Sequence, residues 1–276
     1  MKHIVSLGLI AALFSLCGVV PGFGWASKVH QKITSDAFFI LPQGFRDYLG
    51  VSGNDNTELK ALLKACLEPD NTLKDFRNHV YHIHGFEMGN GPFKIEQLVK
   101  EIGDDMHKKA PKAQILQKFG WLAHYAADII QPLHTGVSTW EGIEEKAYHS
   151  SYETDADKNV YTFGVNYAGA TMVRRISARQ VYEALCSNQY YDAIQTAYTT
   201  GKKYEEVRRL TGDCYSRAVN NVITMWYTAW VLGGGKVNPR NDSKPRYFPP
   251  MQKESDTRRI LSAPLRSDPP LRRLDD

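Results

Sequence analysis

A histidine and an aspartate stand four residues apart in an apolar stretch. His124 and Asp128 belong to HYAADII, and i,i+4 spacing places two side chains on one face of an α-helix. Their neighbours are apolar, so this face is predicted to point into the protein interior. Buried histidine and aspartate need polar partners. A divalent metal ion is one solution, and a direct His–Asp hydrogen bond is the alternative.

More side chains of the same types follow this pair. Pro132 must end the helix, and His134 comes directly afterwards from an irregular segment. His149 and Glu153 then form a second histidine–carboxylate pair at i,i+4 spacing. Imidazole and carboxylate ligands without cysteine are typical of catalytic rather than structural zinc sites.

Further candidates lie upstream in three places. His30 is near the start of the first predicted helix, and Asp70 follows the second. His79, His82 and His84 cluster in NHVYHIH. Each group alone is compatible with ordinary buried or surface polar residues. Together with His124, His134 and His149, these groups contain seven of the nine histidines of the chain, which favours one shared metal centre.

The elements that must position these residues are predicted to be helices. Apolar spacing and proline positions indicate helices over 29–40, over 58–67, after Pro92, and from Pro111 to just before Pro132. Further helices are expected at 178–198, 202–210 and 212–232, and no convincing alternating strand is present. The fold class is therefore predicted to be all-α.

Composition sets the remaining limits. The 276 residues are 42% hydrophobic, too apolar for a disordered chain. The net charge of +4 is concentrated in the tail, since residues 236–276 carry ten Lys/Arg and six Asp/Glu. The nearly neutral body argues against a broad electrostatic track for duplex nucleic acid. Cys186 and Cys214 could form a disulfide bridge, which the sequence alone does not establish.

The N-terminus is predicted to be a secretory signal. Lys2 precedes the apolar run 4–20, Pro21 breaks it, and Gly22 and Gly24 form a small-x-small cleavage pattern. A membrane anchor is the alternative, although the run is short for a bilayer span. We therefore expect a signal peptide at 1–24, a helical catalytic domain at 25–235, and an extended or disordered Pro/Arg-rich tail at 236–276.

These residues, in this order, resemble the zinc-dependent phospholipase C enzymes of bacteria, which share a fold with the fungal single-strand-specific nucleases. The likeness covers about 25–230. It rests on His-x3-Asp-x5-His, His-x3-Glu, and a Trp at the predicted new N-terminus. The resemblance implies an all-helical protein with three zinc ions. The implied metal ligands are Trp25 (through its free amino group and carbonyl), His30, Asp70, His79, His124, Asp128, His134, His149 and Glu153.

The resemblance also implies roles for some of these residues. Asp128 would bridge two ions, and Asp70 would both bind zinc and orient or deprotonate the attacking water. His82 is an alternative to His79 as the ligand. The matching substrate-binding positions are Phe76, Lys28 and Asn71.

Two enzyme activities fit this ligand set. The short gap between His134 and His149 and the use of Glu153 favour phospholipase C, which releases diacylglycerol and a phosphorylated headgroup. The short spacing from Trp25 to His30 is more typical of the nucleases. A non-catalytic metal-binding interaction module is the alternative of another class. We expect a secreted or periplasmic protein that acts on phospholipid at a membrane surface without an obligate protein partner.

Overall fold

The computed structural model describes residues 25–50, 57–84, 88–136, 143–201, 204–238 and 242–251. The predicted signal peptide and residues 252–276 of the tail lie outside this range. Within it, nine α-helices and one two-stranded sheet form the chain: α1 Ser27–Ile40, α2 Gln43–Leu49, α3 Thr57–Ala65, α4 Gly91–His107, α5 Lys112–Asp128, α6 Ile143–Asn159, β1 Val165–Tyr167, α7 Ile176–Asn188, α8 Tyr191–Thr199, α9 Tyr204–Leu232 and β2 Arg246–Phe248. The all-α prediction is confirmed.

Helix α5 lies at the centre of the fold, in contact with α1, α3, α4 and α9. Its last five residues, from His124 to Asp128, are fully buried. Gly120 allows the closest approach, because a Cβ there would stand 2.4 Å from Ala65 Cβ and 2.9 Å from the Cys66 amide nitrogen. This contact holds the end of α3 against the turn of α5 that precedes His124.

Helix α9 packs against α5 and α2. The Trp226 indole donates a hydrogen bond to the Phe119 carbonyl (2.8 Å), and Asn221 donates to the Ala126 carbonyl (2.8 Å). Trp230 stacks on Phe45 of α2 with ring centroids 5.0 Å apart. The two hydrogen bonds fix α5 against α9, and the ring contact joins α9 to α2. No helix in the described ranges has both the length and the apolar character needed to cross a membrane.

Two predicted helix boundaries are corrected. The helix expected at 178–198 is divided into α7 and α8, which are joined by residues 189–190. Conversely, α9 runs through Tyr204–Leu232, where a break near residue 211 was expected. Gly212 does not interrupt it, because tertiary contacts of α9 outweigh the modest helix cost of one glycine.

Residues 242–251 of the predicted tail pack against the helical body. Strand β2 pairs antiparallel with β1, with Val165 opposite Phe248. Asp242 accepts hydrogen bonds from the Tyr227 hydroxyl (3.1 Å) and the Asn238 amide (2.7 Å), while Phe248 and Met251 are buried. Strands of three residues are too short for alternation to identify them in a sequence.

The cysteines carry no disulfide within the described chain. Cys66, Cys186 and Cys214 are free thiols, so the suggested Cys186–Cys214 bridge is not formed. Burial raises the pKa of Cys66 and of Cys214 to about 12. Both thiols therefore act as small buried apolar groups.

Candidate metal centre

Asp128 is the centre of a buried cluster at the end of α5. Its Oδ2 lies 3.0 Å from His79 Nδ1 and 3.1 Å from His124 Nε2. Its Oδ1 lies 3.2 Å from His30 Nε2 and 3.4 Å from the Trp25 amide nitrogen. The two oxygens thus face two different sets of nitrogen atoms, a geometry that suits a carboxylate shared by two cations.

Asp70 completes this part of the cluster from the opposite side. Its Oδ1 lies 3.5 Å from both His79 Nδ1 and His124 Nε2. The residue follows α3 in a short π-helical turn, Pro69–Leu73, which carries the carboxylate toward the end of α5. Its side chain is 17% exposed whereas that of Asp128 is fully buried, so Asp70 is the carboxylate nearer to solvent.

A second group lies beside the first. His149 Nε2 is 2.8 Å from Glu153 Oε1, as expected for i,i+4 residues of α6, and the Glu153 oxygen is 3.9 Å from His134 Nε2. His134 is supplied by a 3-10 turn, Pro132–Thr135, immediately after α5. Its Nδ1 is 3.9 Å from Asp128 Oδ1, which links the two groups.

Backbone carbonyls orient two of the histidines. His124 Nδ1 donates to the Cys66 carbonyl (2.7 Å), and His134 Nδ1 donates to the His79 carbonyl (3.0 Å). When Nδ1 carries the proton, Nε2 has its lone pair available, and in both residues Nε2 faces the cluster. This arrangement is the usual outer-shell support of metal-binding histidine.

The donor set fits zinc. Among the described residues, three groups of donor atoms lie within 4.8 Å of one another: His30, Asp70 and His124; His79, His124 and Asp128; and His134, His149 and Glu153. Donor atoms sharing a tetrahedral zinc stand roughly 3.3 Å apart, close to the separations around Asp128. Both ring nitrogens of His30, Asp70 Oδ1 and His134 Nε2 are buried without a hydrogen bond in the described chain. A cation would satisfy such atoms.

The protonation of the cluster is strongly coupled. Burial favours the neutral form of His124, yet the Asp128 and Asp70 carboxylates raise its pKa to about 10. Burial, together with the nearby charge of His124, lowers the pKa of His30, whose ring stacks on that of His124 at 3.9 Å. Burial also lowers the pKa of His134 to about 4 despite the Asp128 charge. Burial also opposes the charged form of His79, but its contacts with the Asp128 and Asp75 carboxylates raise its pKa. Without metal, protonation is therefore favoured at His124 and His79 over His30 and His134.

Comparison with known proteins assigns the family. A model of the family described as zinc-dependent phospholipase C matches residues 29–231, which include eight of the nine predicted ligands. The chain belongs to the zinc-dependent phospholipase C family. The match confirms the predicted family. No curated protein sequence matches the chain significantly.

A solved structure shows the same fold. The alpha-toxin of Clostridium perfringens from avian strain SWCP is 12% identical, with a TM-score of 0.53 over 77% of this chain and 66% of the toxin. The alpha toxin of Clostridium absonum is also 12% identical, with a TM-score of 0.48 over 80% of this chain and 66% of that one. This chain thus spans just under two thirds of the length of each toxin.

Within this phospholipase C fold, the structure brings together all nine residues that the sequence predicted as ligands. It places His79 in the cluster. His82 is buried, but its backbone amide donates to the Met88 carbonyl (2.8 Å), and none of the donor groups in the described chain includes its ring. The indole nitrogen of Trp25 donates to the Ala127 carbonyl (3.1 Å), which holds the Trp25 backbone beside Asp128.

The predicted substrate-binding residues lie around the cluster and not within it. The ring of Phe76 is 5.9 Å from that of His79 and 38% exposed. Asn71 lines a recess of about 470 Å³ between α1 and α3. Lys28 is 62% exposed and its ammonium lies 3.2 Å from Asp157 of α6. The positive charge of Lys28 is therefore partly offset by the Asp157 carboxylate.

Two supporting residues were missed by sequence reasoning. Asp75 Oδ1 lies 3.4 Å from His79 Nε2 and accepts a hydrogen bond from the Tyr125 hydroxyl (2.7 Å). Gln131 is fully buried, and its Nε2 lies 3.0 Å from both His149 Nε2 and Glu153 Oε1. Asp75 precedes His79 by four residues, the spacing that identified the other pairs, so a signal was present.

Proposed function

We propose that the protein is an exported phospholipase C that hydrolyses glycerophospholipids to diacylglycerol and a phosphorylated headgroup. The observation that carries the proposal is the arrangement around Asp128, whose two carboxylate oxygens face separate groups of nitrogen donors at 3.0–3.4 Å. Family membership supports the reaction type, and the sequence at 1–24 supports export.

Three zinc ions are proposed to occupy the centre. The first group of ligands would be Asp70, His79, His124 and Asp128; the second would be the Trp25 terminus, His30 and Asp128; the third would be His134, His149 and Glu153. When bound, zinc supplies Lewis acidity that polarises the phosphoryl group and makes a water molecule acidic near neutral pH.

Asp70 is proposed to orient the attacking water and accept its proton. Its Oδ1 lacks a hydrogen bond within the described chain, and the side chain is more exposed than the carboxylate of Asp128. A carboxylate at the edge of the centre can reach both solvent and a bound phosphodiester, as a general base must. Asp128, which is completely buried, would instead hold the fixed negative charge between the cations.

Phosphatidylcholine is not expected to be the preferred substrate. Asn71 offers no aromatic face, and Lys28 contributes no negative charge, so Phe76 alone remains to contact a quaternary ammonium through its ring. Phosphatidylcholine is therefore expected to have no advantage over phosphatidylethanolamine or phosphatidylglycerol.

A side-by-side assay of the mature protein tests the proposal. Matched micelles of the three phospholipids and single-stranded nucleic acid are compared at the same enzyme concentration, with phosphorylated headgroup or nucleotide release as the measurement. Phospholipid turnover well above nuclease turnover is the expected result. Cleavage of nucleic acid with little phospholipid hydrolysis would replace the proposal with the nuclease alternative, and a zinc-loaded but inactive protein would indicate the interaction module.

A further inference from the structure

Exposed apolar side chains concentrate beside the metal centre. Leu73, Phe76, Met88 and Phe93 are 39%, 38%, 51% and 54% exposed, and they come from the segment 73–93 that also contains His79. We call these four residues the apolar rim. Other large exposed apolar residues of the described chain are spread over helices, strands and the tail. Contiguous exposed apolar surface at one place usually marks an interaction site.

Hydrogen bonds hold the rim together. The Asn90 amide donates to the Arg77 carbonyl (2.7 Å), and the Asn90 side chain donates to Asn78 Oδ1 (2.7 Å). The Tyr81 hydroxyl lies 3.7 Å from Met88 Sδ. The first turn of α4, which contains Phe93, is therefore fixed against the 3-10 turn Phe76–Asn78. The apolar rim is therefore a surface held in place by hydrogen bonds, and it adjoins His79.

Among the described residues, the unpaired charges on this surface are positive. Lys74 and Arg77 are exposed and form no ion pair with any described residue. The neighbouring carboxylate of Asp75 is engaged by the Tyr125 hydroxyl, and that of Asp70 faces His79. The described carboxylates of Asp70 and Asp75 thus face the cluster, while the unpaired cations of Lys74 and Arg77 are exposed beside the apolar residues.

We propose that the apolar rim, with Lys74 and Arg77, is a docking surface for an anionic lipid bilayer. The proposal deepens the function proposed above and rests on it for the reason to meet a membrane. Apolar side chains enter the boundary between headgroups and acyl chains, and cations beside them attract anionic headgroups. A bilayer seated on this rim would present its headgroups to Phe76 and to the adjoining metal centre.

A second copy of the chain is a poorer occupant. Two copies meeting through this surface would place four cations, Lys74 and Arg77 of each, in one interface, and like charges repel. An anionic bilayer offers the opposite charge together with an apolar layer. The chemistry of the surface therefore favours lipid over self-association.

The first test removes the apolar part of the surface. The variant Met88→Ser/Phe93→Ser is compared with Met172→Ser/Val237→Ser, which removes residues 42% and 47% exposed elsewhere. Val237 follows the C-terminal end of α9. That end contacts the end of α4 far from the rim, since the His107 ring lies 2.8 Å from the Leu232 carbonyl. Binding of the holoenzyme to vesicles of phosphatidylglycerol and phosphatidylcholine is measured by sedimentation. The first variant should bind roughly tenfold more weakly, and the control should bind like the parent.

The second test removes the charges. Lys74→Gln/Arg77→Gln is compared with Lys109→Gln/Lys108→Gln at the far end of α4. Lys74 and Lys109 form a close match, since both are exposed and have a positive φ, 52° and 55°. Each lost cation at the surface should weaken binding to anionic vesicles about fivefold, with little effect on pure phosphatidylcholine vesicles. The control pair should leave binding unchanged.

The outcomes separate docking from catalysis. Hydrolysis of a short-chain phospholipid below its critical micelle concentration tests the proposed function without any bilayer. Weakened vesicle binding in the rim variants alone supports the docking surface, even if no phospholipid is hydrolysed. Equal vesicle binding by rim and control variants overturns the proposal. A parent dimer that only the Met88→Ser/Phe93→Ser variant loses would also overturn it, in favour of self-association.

Discussion

The carboxylate of Asp75 joins the phenol of Tyr125 to the ring of His79, with Oδ1 2.7 Å from the Tyr125 hydroxyl and 3.4 Å from His79 Nε2. His79 Nδ1 faces Asp128 at 3.0 Å, so the ring spans an inner and an outer carboxylate. Partial burial raises the pKa of Asp75, but the contact with His79 and the hydrogen bonds donated by Asn78 and Tyr125 outweigh it and hold that pKa well below its usual value. Asp75 therefore remains charged and can fix the orientation of His79.

Asp75→Asn is expected to weaken zinc binding about 10- to 100-fold, the usual cost of losing an outer-shell partner. The amide has no negative charge to hold the imidazole in its ligating orientation. Competition with a chromogenic chelator measures the affinity. Asp104→Asn, an exposed position on α4, is the matched control, and equal affinities for the two variants would exclude the positioning role.

Asp128→Asn is expected to reduce phosphodiester hydrolysis by at least about a hundredfold, since even outer-shell losses reach that size. An amide supplies one oxygen and no charge where two oxygens face two groups of nitrogen donors. Helical circular dichroism should persist, because the surrounding α5 packing is apolar. Asp192→Asn on the surface of α8 should leave activity unchanged. Activity of Asp128→Asn within tenfold of the parent, with zinc in excess, would reject the bridging role.

Protein that begins at Trp25 is expected to bind one more zinc ion than protein extended at that end. The Trp25 nitrogen lies 3.4 Å from Asp128 Oδ1, and only cleavage gives it a free amine with a lone pair for a metal. Metal analysis of the processed form and of a form with one added N-terminal Met makes the comparison. Equal zinc content in the two would remove the terminal amine from the ligand set.

Gly120→Ala is expected to destabilise the fold by about 1–3 kcal/mol, the cost of overpacking a core. Its Cβ would stand 2.4 Å from Ala65 Cβ, so α3 must move, and with it the Cys66 carbonyl that holds His124. Gly44→Ala in α2 is the matched control, because its Cβ meets only Trp230 at 3.9 Å. That variant should gain up to about 1 kcal/mol. Urea unfolding measures both, and equal free energies would contradict the close contact.

The Glu96 carboxylate is expected to stabilise the fold in a pH-dependent way. Hydrogen bonds from Lys100 and from the Ser177 amide lower its pKa from 4.5 to about 2. A lowered folded-state pKa means that the stabilisation is present above the unfolded value and is lost as the pH falls toward about 2. The difference in melting temperature between parent and Glu96→Gln should therefore be larger near pH 7 than near pH 3. A difference independent of pH would exclude the ionised form as its source.

The sequence by itself determined the helical class and the two i,i+4 pairs, His124 with Asp128 and His149 with Glu153. These depend only on the 3.6-residue repeat of a helix, which local spacing reports directly. Family resemblance placed the remaining ligands in order along the chain. The segmentation of the later helices was less well predicted, because packing decides whether a helix continues through Gly212 or ends before Tyr191.

Only the tertiary structure decided which histidine of NHVYHIH joins the centre, and that Asp70 meets it from across α5. His79 and His82 have similar local sequences, so their difference arises from where the 3-10 turn before them is held by α4. The same packing gives Asp75 and Gln131 their roles and turns Lys28 toward Asp157. Contacts between segments tens of residues apart depend on how the helices pack. The spacing of residues within one segment therefore does not predict them.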